Sequence, residues 1–199
     1  MMDKMKTVLK ELEIFLSESD CPLLTHFQGG ISASEVADTF SNLKFPIRDD
    51  IKQLYEWKNG VSDLFKKKTG EIELFSSGIM MPLELATSMY VLEVKVQKSF
   101  KKEFFPLFTS GGGDYILIHL DESKKTYGQL FLYSPAILLS SKPMTIYDSL
   151  TTLFQTILNI YQRGGYFFSK SDKSLEIDYD IEKEISIKLN SKSDFWREN

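Results

Sequence analysis

Residues 104–121 read FFPLFTSGGGDYILIHLD and residues 128–133 read GQLFLY, and together they predict three successive β-strands. Two apolar runs, before Ser110 and from Tyr115 to Leu120, are separated by a Ser/Gly cluster, and a polar turn leads to a third run from Leu130 to Tyr133. Runs of about four to eight β-branched and aromatic residues between turn residues are typical of strands, and nearly continuous apolarity indicates burial on both faces. We therefore expect these strands to form the centre of the fold.

The glycines Gly111, Gly112 and Gly113 raise the question of a phosphate-binding loop. Such a loop leads from glycines into a helix N-terminus and usually carries a following Lys or Ser/Thr. Here the glycines lead into Asp114 and a strand, and the Asp114 carboxylate would repel a phosphate. We therefore interpret them as a structural turn, because glycine adopts positive φ without a steric cost.

Composition indicates one ordinary globular domain, with 199 residues of which 42% are hydrophobic and 26% charged. A net charge of −4 argues against a general nucleic-acid binder. The single cysteine, Cys21, excludes an internal disulfide and fits a reducing compartment. No apolar run is long enough for a signal peptide core or a membrane span, so we predict a cytoplasmic protein without membrane contact.

Apolar spacing predicts helices before and after the central strands. They are residues 3–17, a short helix capped by Ser32 or Ser34 up to about Ser41, Ile47 to Lys58, Pro82 to about Ser99, and Thr145 to Gly164. Residues 61–81 are interpreted as strands or an irregular hairpin. The segment from Leu175 to Leu189 fits both a strand and a helix, and Phe195 and Trp196 predict a C-terminus that docks on the body. These elements predict a single α+β domain: a central, mostly antiparallel β-sheet with helices packed around it.

A search for catalytic residues yields no plausible set. His26 and His119 have no companions spaced for a zinc site, and no nucleophile elbow occurs. A pairing of Cys21 with a histidine stays open but has no supporting sequence signature. We therefore expect no enzymatic activity, no metal and no cofactor.

Charge patterning offers a binding hypothesis. Between residues 172 and 184 two lysines accompany six acids: Asp172, Glu176, Asp178, Asp180, Glu182 and Glu184. An acidic face of this kind can dock a basic partner such as a nuclease and accelerate its association. The alternative is a solvated charged face without a specific role. The basic turn Lys66-Lys67-Lys68 offers the same two interpretations, an anionic partner or simple solvation.

Several motifs in order resemble the SUKH superfamily, which contains the yeast cell-wall-assembly regulator and many bacterial toxin-immunity proteins. The motifs are Gly30-Ile31-Ser32, Phe45-Pro46, residues 51–60 (IKQLYEWKNG), Phe105-Pro106-Leu107-Phe108, residues 111–115 (GGGDY), Gly128-Gln129-Leu130-Phe131, Tyr147-Asp148-Ser149-Leu150, Leu189-Asn190 and Phe195-Trp196. Phe45 stands where Leu is commoner, and Ser191 where many relatives have Pro.

The resemblance implies a non-catalytic α+β domain over residues 30–199, with residues 1–29 forming a helix and a connecting loop packed on it. It implies an immunity protein that binds a cognate toxin domain 1:1, often a nuclease or other nucleic-acid-modifying enzyme. The alternative is an interaction scaffold without a toxin partner. The motif residues are expected to be structural: Tyr55 and Trp57 as core anchors, Gly60 as a helix stop and Asp114 as a turn acceptor, together with Asn59, Pro106, Gly112 and Gly113.

Overall fold

The predicted central strands are confirmed in the computed structural model, which describes residues 4–19 and 21–198. They lie in a five-stranded antiparallel sheet with the order β3-β4-β5-β6-β7. Its strands are β3 Ile79–Met80, β4 Phe104–Thr109, β5 Tyr115–His119, β6 Leu130–Tyr133 and β7 Met144–Tyr147. Every residue of β4 and β5 is buried, as their nearly continuous apolar sequences indicate. Two further antiparallel pairs join β1 Phe27–Gly29 to β2 Lys58–Val61, and β8 Tyr166–Phe168 to β9 Leu175–Ile177.

The turn between β4 and β5 is held by hydrogen bonds around Asp114. The Ser110 backbone amide donates to the Asp114 carbonyl at 3.1 Å, and the Ser110 hydroxyl donates to the Asp114 carboxylate at 3.1 Å. Gly111 and Gly113 both have positive φ, at 79° and 101°. The glycines therefore close a strand-to-strand turn and do not lead into a helix N-terminus.

Helices cover the sheet, which gives the predicted single α+β domain. They are α1 Lys4–Glu18, α2 Ala33–Asn42, α3 Asp49–Trp57, α4 Thr69–Ile72, α5 Leu83–Val91, α6 Pro135–Leu138, α7 Leu150–Gln162, α8 Tyr179–Leu189 and α9 Phe195–Glu198. A π-helical turn, Leu92–Gln97, continues α5, and 3₁₀ turns span Pro22–Thr25 and Leu64–Lys66. Asp3, which the sequence places in the first helix, lies outside the described residues.

The two faces of the sheet are covered by different parts of the chain. On one face Phe154 of α7 packs on Phe108, with ring centroids 6.4 Å apart. Phe108 pairs with Ile116, so the neighbouring Tyr115 points to the opposite face. There Phe100 covers Tyr115 and Tyr133, at centroid distances of 6.0 and 5.5 Å. The segment from the π-helical turn to β4 thus lies on the side of the sheet away from α7.

The predicted helix start at Thr145 is wrong. Thr145 lies in β7 and pairs with Phe131 of β6. Helix α7 begins at Leu150, where Ser149 and Thr152 form a capping box: each side chain accepts a hydrogen bond from the other residue's backbone amide. The apolar spacing of Ile146 and Leu150 imitates a helix face because both residues enter the same core from different elements.

Two further expectations need correction between residues 58 and 81. No strand forms over Ile72 to Phe75: Ile72 ends α4, and Phe75 makes only a single antiparallel β-bridge with Gly78. Leu64–Lys66 forms a 3₁₀ turn. Gly60 is not the residue that ends α3, because that helix ends at Trp57 and Lys58 is already extended. Gly60 lies in β2 with φ +69°, and a Cβ there would lie 2.3 Å from the carbonyl carbon of Met81. Close approach of two backbones therefore requires glycine at this position.

Both patterns in the C-terminal segment occur in succession. Leu175–Ile177 forms β9 and Tyr179–Leu189 forms α8, with Asp178 as the N-cap between them. The predicted docking of the C-terminus is confirmed, since Trp196 is buried and its ring centroid lies 6.2 Å from that of Tyr147.

Candidate partner-binding surface

The hairpin formed by β8 and β9 presents one apolar and one polar face. Tyr166 and Leu175 point inward and are buried, and Tyr166 packs on Tyr161 of α7 with ring centroids 5.3 Å apart. Phe167 pairs with Glu176 across the two strands, so both side chains project from the outer face. The alternation of the strand thereby places an aromatic ring beside a carboxylate in solvent.

Two aromatic side chains are unusually exposed on and next to this hairpin. Phe167 is 53% exposed, and Tyr179, at the start of α8, is 68% exposed. The carboxylates of Asp172, Glu176 and Asp180 are exposed as well. We call these five residues the acidic–aromatic surface. Aromatic rings bury large areas at little entropic cost when a partner covers them, and surrounding charges guide the approach of that partner.

Glu182 does not belong to the predicted acidic face. It is 2% exposed, and its carboxylate accepts a hydrogen bond from the Tyr166 hydroxyl. Burial raises the pKa of Glu182 to about 7, and the hydrogen bond from Tyr166 opposes part of that rise. Helical geometry explains the position, because Glu182 lies three and four residues from the buried pair Ile185 and Ser186, on the inner side of α8.

Two more of the six acids have structural partners. The Asp178 carboxylate accepts hydrogen bonds from the backbone amides of Asp180 and Ile181, at 3.1 and 3.0 Å, and so caps α8. Glu184 forms an ion pair with Arg163 at 2.7 Å, which lowers the pKa of its carboxyl. The structure therefore assigns Asp178, Glu182 and Glu184 to folding contacts and leaves Asp172, Glu176 and Asp180 at the surface. Of these three, Asp172 accepts a hydrogen bond from the Ser174 amide at 3.3 Å within its own turn.

The motif residues lie in structural positions around β2. Tyr55 is fully buried, and its hydroxyl donates to the Met81 carbonyl at 3.4 Å. Trp57 donates from its indole nitrogen to the Glu13 carboxylate at 2.9 Å, while Lys58 pairs with the same carboxylate at 2.7 Å. Asn59 accepts a hydrogen bond from the Leu83 amide at 3.0 Å and thereby caps α5.

The motifs in the sheet also lie in structural positions. Pro106 is buried in β4 at an irregularity in the pairing with β5, where its missing amide hydrogen breaks no regular ladder. Gly112 is exposed in the turn, and its amide donates to the Ser110 hydroxyl at 3.1 Å.

The sequence profile of the SMI1 / KNR4 family (SUKH-1) matches residues 30–156, well over half of the chain. The chain belongs to this family. The SUKH-1 match runs from α2 into α7, so the acidic–aromatic surface lies after the matched residues. A search of curated protein sequences found no significant match.

Cys21 of this SUKH-1 protein is unsuited to act as a thiolate nucleophile. The side chain is buried, and burial raises the pKa of its thiol to about 11. His119 is also buried, where its ring lies 4.9 Å from that of Phe104 and Nδ1 is hydrogen-bonded to the Thr126 hydroxyl at 2.9 Å. These two side chains are therefore held in the buried interior of the protein.

Among the described residues of the SUKH-1 protein, no group of three or more His, Cys, Asp and Glu side chains could hold a metal ion. Within residues 4–19 and 21–198 there is also no helix with the length and apolarity needed to cross a bilayer.

Sequence reasoning identified the acids of the surface but missed its two aromatic residues. A signal for Phe167 was available in the sequence. Tyr166, Phe167 and Phe168 are consecutive, and side chains in a strand alternate between its two faces, so the middle ring must face away from the other two. Tyr179 directly follows the N-cap of the SUKH-1 protein's α8, and the sequence carries no sign of which way it points.

Proposed function

We propose that this chain is a non-enzymatic immunity protein that binds and neutralises a cognate toxin domain, a nuclease or other nucleic-acid-modifying enzyme, in a 1:1 complex. Family membership supports this proposal, since SUKH proteins serve as immunity proteins or regulators. The observation that carries it is the acidic–aromatic surface, in which Phe167 is exposed beside its cross-strand partner Glu176 while Asp172, Tyr179 and Asp180 are exposed in the same segment of the chain.

The chemistry of such a toxin explains why this surface fits it. An enzyme that acts on nucleic acid binds phosphates through lysines and arginines, so its substrate site is basic. Carboxylates that approach this site gain Coulomb energy and exclude the substrate. The aromatic rings supply the apolar contact that slows dissociation, since area buried in aromatic anchors dominates the energy of most interfaces.

The test is co-expression with the C-terminal domain of a large secreted protein encoded next to this gene, followed by calorimetry of the purified pair. We expect cell survival and 1:1 binding with a nanomolar dissociation constant. Rescue by none of the neighbouring candidates, with weak binding to several host proteins instead, would favour the alternative of a regulatory scaffold.

A charge-reversed variant then tests the surface itself. Glu176→Lys with Asp180→Lys changes two exposed acids without a structural partner and spares Asp178 and Glu182, which stabilise the fold. We expect association with the toxin to slow by about tenfold or more, and its salt dependence to weaken.

The matched control is Glu11→Lys with Glu18→Lys on α1, two exposed acids whose reversal changes the net charge equally. Its association rate should stay within about twofold of the parent. Equal slowing in both variants would mean that overall charge, and not this surface, governs binding.

A further inference from the structure

A groove on the other side of the sheet has the opposite charge. It lies between the segment that leads into β4 and the loop before β7, and its volume is about 740 Å³. Its apolar wall includes Val94, Phe100 and Phe104, the last two being buried parts of the core. Because Phe100 covers Tyr115, the groove lies on the face of the sheet away from α7 and from the hairpin that packs on α7.

Four lysines line this groove: Lys98, Lys101, Lys102 and Lys142. All four are exposed, and none forms an ion pair with any described residue. Glu103 is the one carboxylate in the lining. We call this feature the lysine groove. The groove therefore carries a local excess of positive charge, although the net charge of the whole protein is −4.

Two lysines of the basic turn differ from those of the groove because they have carboxylate partners. In the basic turn at residues 66–68, Lys66 pairs with Asp63 at 3.0 Å and Lys68 with Glu71 at 3.5 Å. These pairs neutralise the turn locally. The comparison favours solvation for the basic turn and a free anion-attracting surface for the lysine groove.

Two exposed apolar side chains lie close in sequence to residues that line the groove. Val96 in the π-helical turn is 69% exposed, and Leu139 in the loop before β7 is 91% exposed. Irregular backbone accompanies them: Leu92–Gln97 is π-helical, and Lys98 and Leu139 have φ of 57° and 48°. π-Helical turns are frequent at functional sites because they re-aim side chains at a cost in helix stability.

We propose that the lysine groove is a second docking site and binds an acidic polypeptide segment of a partner protein, with an apolar side chain of that segment against the groove wall. Charge complementarity identifies the occupant, since four unpaired ammonium groups attract carboxylates. The apolar wall requires an occupant that also carries hydrocarbon, as a peptide with alternating acidic and aliphatic residues does. This inference does not depend on the toxin-neutralising function.

A polypeptide fits better than nucleic acid. Single strands bind to exposed aromatic rings on which bases stack, whereas Phe100 and Phe104 are only 5% and 9% exposed. A net charge of −4 also repels an extended phosphate backbone. A peptide is short and places its carboxylates only where the lysines are.

The probe is a fluorescein-labelled peptide in which two central leucines are flanked by glutamates, and binding to the full chain is followed by fluorescence anisotropy. We expect saturable binding that weakens with added salt. A peptide of glutamates alone and a peptide with glutamine in place of every glutamate should each bind about tenfold more weakly, because each lacks one of the two complementary features.

The decisive variant is Lys101→Glu with Lys142→Glu, one lysine from each side of the groove. We expect its affinity for the peptide to fall by about tenfold or more. The control is Lys124→Glu with Lys125→Glu, which changes the net charge equally at exposed residues of the β5–β6 turn and should leave affinity within about twofold.

Three results would overturn the proposal: no saturable binding of the peptide, an equal loss in the control variant, or tighter groove-dependent binding of a single-stranded oligonucleotide or of phosphatidylserine vesicles. Should the charge-reversed variant unfold, Lys101→Gln with Lys142→Gln provides the same comparison with a smaller change in charge, and unchanged affinity in that variant counts against the groove.

Discussion

At the residue scale, Glu182 shows how burial changes the role of a side chain. Its carboxyl lies under the hairpin against the Tyr166 hydroxyl, and Tyr147 and Tyr166, both buried, are the tyrosines whose pKa values its charge raises further. Removal from water disfavours the charged form, which is why the pKa of Glu182 rises from 4.5 to about 7. The folded protein therefore holds a proton near pH 6 that the unfolded chain has released.

This difference predicts a pH-dependent effect of Glu182→Gln. Below pH 4.5 the Glu182 carboxyl is protonated in both the folded and the unfolded state, so its burial costs no free energy of ionisation. Because the folded-state pKa is the higher one, the folded protein loses stability as the pH rises from 4.5, and the loss is complete above about 7. The shift corresponds to about 3 kcal/mol. Glutamine accepts the Tyr166 hydrogen bond but does not titrate. The variant should therefore gain stability relative to the parent, by up to that amount, as the pH rises from about 5 to about 8.

The measurement is urea unfolding of both proteins at a series of pH values, with Glu176→Gln as the control, since Glu176 is exposed on the outer face of the hairpin. If parent and Glu182→Gln show parallel pH profiles, the carboxyl does not carry a raised pKa in the folded state.

At the element scale, the hairpin and α8 show how one short segment serves folding and surface chemistry together. Residues 175–177 alternate as a strand, and the apolar spacing from Ile181 to Leu189 is that of a helix. The change occurs at Asp178, whose carboxylate satisfies the first free amides of α8 while its own amide donates to the Gly165 carbonyl at 2.8 Å.

Asp178→Ala should therefore lower the free energy of unfolding by about 1 kcal/mol, the usual cost of losing an N-cap. Asp180→Ala is the matched control, because that neighbouring acid is exposed and caps nothing; it should change stability by less than about 0.5 kcal/mol. Chemical denaturation followed by circular dichroism compares the two. Similar losses in both variants would indicate that helix-dipole charge, and not the cap, stabilises this helix start.

At the scale of the whole molecule, α1 belongs to the same core as the family-matched residues although it precedes them. Leu12 and Leu16 are fully buried, and the ring of Phe15 lies 5.9 Å from that of Tyr161 in α7. Glu13 connects α1 to Trp57 at the end of α3 and to Lys58 at the start of β2. We propose that residues 1–29 fold with the remainder as one cooperative unit.

Leu12→Ala tests this cooperation. The substitution should lower the free energy of unfolding by about 3 kcal/mol, the usual cost of a cavity in a packed core, and the single transition should shift as a whole. Ile14→Ala on the same helix is the control: Ile14 is 47% exposed, and the expected loss is below about 1 kcal/mol. A separate early transition in calorimetry, with the main transition unmoved, would show that α1 unfolds independently.

Local patterns predicted the sheet centre and most helices because their signals lie within single elements. The apolar runs at β4, β5 and β6 and the stripe of α7 could be assigned without knowing what they contact. The errors at Thr145 and Gly60 arose where two elements meet. Ile146 and Leu150 lie in the same core but belong to a strand and a helix. Position 60 requires glycine because the Met81 backbone lies against it, and Met81 belongs to a different part of the chain.

The sequence by itself determined the α+β class, the central strands and the acidic character of the C-terminal segment, since these depend on periodicity and charge along the chain. Only the tertiary structure decided which of those acids reach solvent, because burial depends on neighbours distant in sequence, as Tyr166 is for Glu182. It likewise brought Lys142 to the groove that Lys98, Lys101 and Lys102 line. Folding places these four lysines around one groove, and the sequence pattern near each lysine does not indicate this.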